Sequence, residues 1–143
     1  MMKTMLSLTM VFFMRDMFRY LPIWVSIWLV VMMSALFVAP MFFLEHAAAQ
    51  WMAGMFMLGG AIMSLMHQKM GMTKLMGIAH LPWLVPLSLI FKDLSMPVAS
   101  QSYFIWLVTA AVLVVTCLVI DVVDVTQYAT GKNRAQLAPP APV

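Results

Sequence analysis

Hydrophobic residues in this chain do not alternate with polar ones. They run on. Four stretches carry no formal charge: Leu21–Leu44 with 24 residues, Ala47–Met66 with 20, Leu75–Phe91 with 17, and Leu94–Ile120 with 27, of which Tyr103–Ile120 is the membrane-like part. A helix rises about 1.5 Å per residue and the hydrocarbon core of a bilayer is about 30 Å thick, so roughly 20 residues span it. The pattern predicts an all-α fold, a bundle of four transmembrane helices over about 21–44, 47–67, 74–91 and 103–128.

Residues 1–20 precede the first run. MMKTMLSLTMVFFM resembles a signal peptide, but MRDMFRY follows it where a small-residue cleavage site belongs. The expectation is a retained helix lying in the interface. Residues 129–143 close the chain with Gly131, two bases and LAPPAPV, which read as an extended Pro/Ala-rich cytoplasmic tail.

Threading follows the positive-inside rule. With the N-terminus inside and four crossings, Lys3, Arg15, Arg19, Lys69, Lys74, Lys132 and Arg134 face the cytoplasm and Lys92 alone faces out. The expectation is N-in/C-in. Tyr20, Trp24, Trp51, Tyr103, Trp106 and Tyr128 fall where interfacial aromatics belong.

Composition agrees with lipid as the solvent. Hydrophobic residues make up 64% of the chain and charged ones 9%, against about 25% charged in an ordinary soluble domain. The net charge of +3 is scattered, with no basic stripe to track phosphates, so no nucleic-acid partner is expected. The ending DVVDVTQYATG resembles the tails of small bacterial membrane proteins. The bacterial inner (cytoplasmic) membrane is the expected location.

Two features bear on packing. Ala49, Ala53, Gly60 and Ser64 keep one face of the second helix small, which permits close backbone approach, with Ala35 and Ala39 as a suitable partner. In the third helix, Pro82 and Pro86 cannot donate to the carbonyls four residues back, so a kink or break is expected there.

Candidate chemistry gathers at the inner end. Asp121, Asp124 and Tyr128 fall at i, i+3 and i+7 on one helix face, and Cys117 continues it one turn deeper. His67 ends the second helix on that side and reads as an interfacial residue. His80 lies six residues past Lys74. Two acids at a helix C-terminus in lipid oppose both the dipole and the cost of burying charge, so His67, His80, Lys74, Arg15 or Arg19 should compensate. One reading of this cluster is a proton or cation site built on Asp121 and His80. The other is an ion-pair network that sets depth and register.

No cofactor is expected. Haem needs two axial ligands at matching depth, and His67 and His80 do not offer that. Copper is suggested by eighteen methionines, but they are spread through every region as apolar filler. No Cys/His set has zinc spacing, and no hydrolase, metalloprotease, P-loop or dinucleotide motif is present. Ser64 and His67, at i and i+3, carry no sign of an oxyanion hole. The function expected is that of a small, non-enzymatic subunit or accessory factor of a larger membrane assembly, acting through helix packing with other membrane subunits or itself. The alternative is a proton- or cation-linked transporter or channel subunit using Asp121 and His80.

Overall fold

The computed structural model describes residues 2–98 and 100–140, with side chains from residue 9 onward. The described chain is all-helical: α1 (Met2–Tyr20), α2 (Ile23–Met33), α3 (Ala47–Met70), α4 (Leu84–Leu94) and α5 (Gln101–Ala129). Four helical stretches are long and apolar enough to cross a membrane: Ile23–Phe42, Ala47–Met70, Lys74–Leu94 and Gln101–Ala129.

Two of these stretches are not plain α-helix, and a proline lies within the irregular part of each. The first widens into a π turn over Ser34–Val38 and then tightens to a 3-10 turn over Ala39–Phe42. Pro40 has no N–H for the carbonyl of Leu36, and its ring crowds that carbonyl. The single helix that the apolar pattern predicts over 21–44 is therefore irregular at its far end. The third stretch is 3-10 from Lys74 to Trp83, with Pro82 inside it, and turns α-helical at Leu84. Pro86 falls in the first turn of α4, directly after the 3-10 segment, the part of an α-helix that tolerates proline best. The change of helix type sits at Trp83–Leu84, next to Pro82.

One hydrophobic cluster joins the long helices. Met32 and Leu36 meet Ala48, Ala49 and Met52 of α3, Trp83, Leu87 and Ile90, and the α5 face from Tyr103 to Cys117. Two indoles stitch it: Trp106 Nε1 donates to the Ala35 carbonyl at 2.9 Å and Trp83 Nε1 to that of Met55 at 3.2 Å. The small-residue face of α3 is used within the chain. Ala49, Ala53 and Ser64 are buried, and the Met10 methyl lies 3.3 Å from where a Gly60 Cβ would stand.

The Met10–Gly60 contact and an Asp16–His67 contact further on lay α1 alongside α3, both chains running the same way. Phe13 and Met17 seal this seam in a second cluster with Met72, Met76 and Ala138. The tail docks on the bundle through an antiparallel bridge between Met72 and Ala138. Leu137 N donates to Met72 O at 2.7 Å, Met72 N to Ala138 O at 2.9 Å, and Gln136 Nε2 to Met70 O at 2.7 Å. Gly71 permits this. Its φ is +73°, and any Cβ there would run into Ala138 O and the Gln136 amide. Residues 141–143 of the tail lie outside the described chain.

Candidate functional site

The end of the structure where α3 stops and the 3-10 segment begins carries three separate polar contacts, not one cluster. The first is the Lys74 ammonium, which donates to Asp124 Oδ1 and Gln127 Oε1, each at 2.7 Å. Asp124 and Gln127 stand at i and i+3 on α5, so one cation at the start of the 3-10 segment reaches both.

The second contact lies one turn deeper. His80 Nδ1 is 2.7 Å from Asp121 Oδ2, at hydrogen-bond distance. Both side chains are mostly covered. Gly77 makes this approach possible. A Cβ at Gly77 would fall 2.8 Å from Asp121 Oδ1 and 2.9 Å from its Cβ. In a 3-10 helix residues i and i+3 stack in register, so the gap at Gly77 lets Asp121 sit against His80. Cys117, at i−4 from Asp121 on α5, completes the group. One donor atom each from His80, Cys117 and Asp121 lie within 4.8 Å of one another. The His80 ring also rests on Trp83, with centroids 4.2 Å apart.

The third contact joins α1 to α3. His67 Nε2 lies 3.5 Å from Asp16 Oδ2, and the other carboxylate oxygen takes Arg15 at 2.8–2.9 Å. His67 is fully buried, Asp16 nearly so, and neither ring nitrogen of His67 has a hydrogen-bond partner. His67 is thus covered by protein and not exposed. The residue faces α1, tilted against Phe13 at 5.7 Å, because the helix that covers it is itself part of the packed protein. Ser64 does not join it; its hydroxyl donates back to Ala61 O at 2.9 Å.

Of the residues grouped from the sequence, then, Asp121 and His80 meet each other. Asp124 goes to Lys74 and His67 to Asp16. Tyr128 stands apart beneath the Arg134 guanidinium at 5.9 Å. Sequence reasoning passed over Asp16, Gly77 and Gln127. Asp16 had a signal: it is the first acid in the chain, on the same helical face as Thr9 and Phe13. Gly77 had one too, three residues before a histidine.

Space surrounds the second contact. An almost wholly apolar cavity of about 410 Å³, walled by α1, α2, α3 and the 3-10 segment, has His80 and Cys117 on its lining. A second hollow of about 330 Å³ between the 3-10 segment and α5 has Gly77 and Asp121 on its lining. The His80–Asp121 contact therefore stands between the two. At the far end, Tyr103 Oη donates to Asp93 Oδ2 at 2.6 Å, and the His46 ring stacks on Tyr103 at 3.7 Å. No family model, curated protein or solved structure matches this chain.

Proposed function

We propose that this chain is a small integral membrane protein of the bacterial inner membrane that works as a non-enzymatic subunit or accessory factor of a larger membrane assembly. Its four apolar stretches cross as a bundle, with the turn at residues 20–23 and the C-terminus on the cytoplasmic side, and α1 packs along α3.

The observation that carries this reading is a stripe on α5. Ile105, Val108, Val112, Val115, Val119 and Val122 recur at steps of three and four on the face away from the core, and all are between 40% and 67% exposed. That spacing is the seam of a left-handed helix pair, the commonest crossing in membrane bundles. Every residue in the stripe is β-branched. Such side chains hold one χ1 rotamer in a helix and lose little freedom when a second helix covers them. The small-residue face of α3 is already occupied within the chain; the first crossing also exposes Ile23, Ile27, Val30 and Val38, and the α5 stripe is the longer unbroken run.

Proton- or cation-linked transport through His80 and Asp121 is the rival. The 2.7 Å contact between two hollows favours it. Against it, Leu36, Met52, Ile90, Leu107, Ala110 and Val114 fill the layers beyond Trp83 with no exposed surface. A carrier route needs polar groups or water there.

Photo-crosslinking side chains at Val112 and Val119, compared with one at Ile27 on α2, test the proposal in native membranes. The expected result is one stoichiometric protein adduct from the α5 positions and lipid adducts from Ile27. Lipid adducts from all three positions would reject the docking surface.

A further inference from the structure

We propose that His80, Cys117 and Asp121 form a binding site for a borderline divalent transition-metal cation of the Zn²⁺ class. The inference stands apart from the docking of α5 and is tested separately.

The donor set fits such an ion. It offers one imidazole nitrogen, one thiolate sulfur and one carboxylate oxygen, the three ligand types that Zn²⁺ takes. Cu⁺ prefers all-soft sets and Mg²⁺ or Ca²⁺ all-oxygen ones. Cys117 and Asp121 stand at i and i+4 on α5, a spacing that directs two side chains to one point from one rigid element. His80 arrives from the facing segment, brought close by the gap at Gly77.

Distances agree. The three donor atoms lie within 4.8 Å of one another, and Nδ1 and Oδ2 are 2.7 Å apart. Bonds of about 2.0–2.3 Å at tetrahedral angles separate donors by about 3.3–3.8 Å. Shifts of the donor atoms by about 1 Å convert one arrangement to the other.

Charge agrees as well. A divalent ion held by one thiolate and one carboxylate has no net charge, the condition under which burial in a low-dielectric site is least costly. Binding releases the Cys117 thiol proton and requires His80 to carry its proton on Nε2, leaving Nδ1 bare. Three protein ligands leave one position open, unlike closed structural zinc sites, which take four. His80 and Cys117 both line the larger cavity, so that position faces space and not packed side chains.

The test uses the untagged full chain in detergent micelles, stripped with chelator and titrated with Co²⁺. The expected result is one Co²⁺ per chain, a near-ultraviolet thiolate-to-cobalt absorption, visible bands of a four-coordinate ion, and displacement of all of them by Zn²⁺. Cys117→Ser should abolish the thiolate absorption. Asp121→Asn and His80→Ala should each weaken Co²⁺ binding by more than the roughly 10- to 100-fold that changes outside the ligand set cause. Helical circular dichroism of each variant reports whether it folds, and Cys117→Ser changes one atom in a buried position. Absence of the thiolate absorption in the unaltered protein overturns the proposal. So does an affinity unchanged in both Asp121→Asn and His80→Ala.

Discussion

Two seams in this protein set an imidazole against an aspartate, and they are built differently. At the α1–α3 seam, His67 and Asp16 lie 3.5 Å apart in full burial, and His67 makes no hydrogen bond. At the seam of α5 with the 3-10 segment, His80 and Asp121 lie 2.7 Å apart, still partly reachable, with a thiol beside them and hollows on either side. The first pair is enclosed by bulky neighbours, Phe13 and Met17. The second is opened by a missing one, the absent side chain of Gly77. The same two residue types therefore serve as a lock in one place and as an addressable site in the other. Packing around the pair, not its chemistry, makes the difference.

The sharpest way to break this comparison is to remove half of the lock. Asp16→Ala leaves His67 buried opposite an empty space. Breaking a buried pair by deleting one partner costs about 3–5 kcal/mol. The low end, about 3 kcal/mol, applies here because Arg15 is 52% exposed and can turn to water. Unfolding by SDS in mixed micelles should show this loss, together with protease cleavage within α1. The double variant Asp16→Leu/His67→Leu should return to wild-type stability or above it, since two apolar side chains satisfy each other. A double variant as weak as Asp16→Ala would show that the pair is no lock.

Gly77→Leu comes next in size. A side chain there must displace Asp121, whose carboxylate already fills the space a Cβ would take. Overpacking of this kind costs about 1–3 kcal/mol. Gly54→Ala, set beside Gly77→Ala, is the matched control, because nothing lies within 4 Å of the Gly54 Cβ position while Asp121 Oδ1 lies 2.8 Å from that of Gly77. In a helix interior the Gly54 change should stabilise by about 0.5–1 kcal/mol. Equal effects from the two glycines would show that Gly77 is an ordinary helical residue and that the second seam has no designed gap. Asp121→Leu should be milder than Gly77→Leu. Interhelical hydrogen bonds in membrane proteins average about 0.6 kcal/mol and reach about 1.7, so its loss should fall in that range by the same SDS titration.

The contrast between the seams also explains what could be read from the residues alone. Lys74 and His80 could be counted among the candidate partners of Asp121 and Asp124 because regular helical spacing puts all four near the same end of the bundle. The four apolar stretches were legible for a simpler reason: their length and hydropathy need no knowledge of neighbours. What escaped was set by contacts between segments far apart in sequence. His67 reads as interfacial until α1 is laid over it, and Asp16 matters only once it is. The docking of Ala138 on Met72 depends on the φ of Gly71, which a C-terminal tail rich in proline and alanine does not advertise. Pro40 was in plain view, yet a single proline in an apolar run does not tell whether the helix will kink, widen or stop.

The smallest expected effect tests whether the second seam depends on its own outer contact. Lys74→Met removes the cation that joins Asp124 to Gln127 and keeps the apolar stem. The side chains of Lys74 and Asp124 are 22% and 34% exposed, so water shares their charge. Exposed and half-exposed pairs contribute about 0.2–1 kcal/mol, and the loss should lie there, below that of Asp121→Leu. The informative measurement is whether that loss adds to that of Asp121→Leu in the double variant. Asp121 and Asp124 share one face of α5, while Lys74 and His80 stand on one short 3-10 segment pinned by Gly77. If the segment moves as a unit, loosening it at Lys74 also loosens His80, and the double variant will lose less than the two single losses together. Strict additivity would instead mean that Gly77 alone holds the seam, with Lys74 a bystander at its edge.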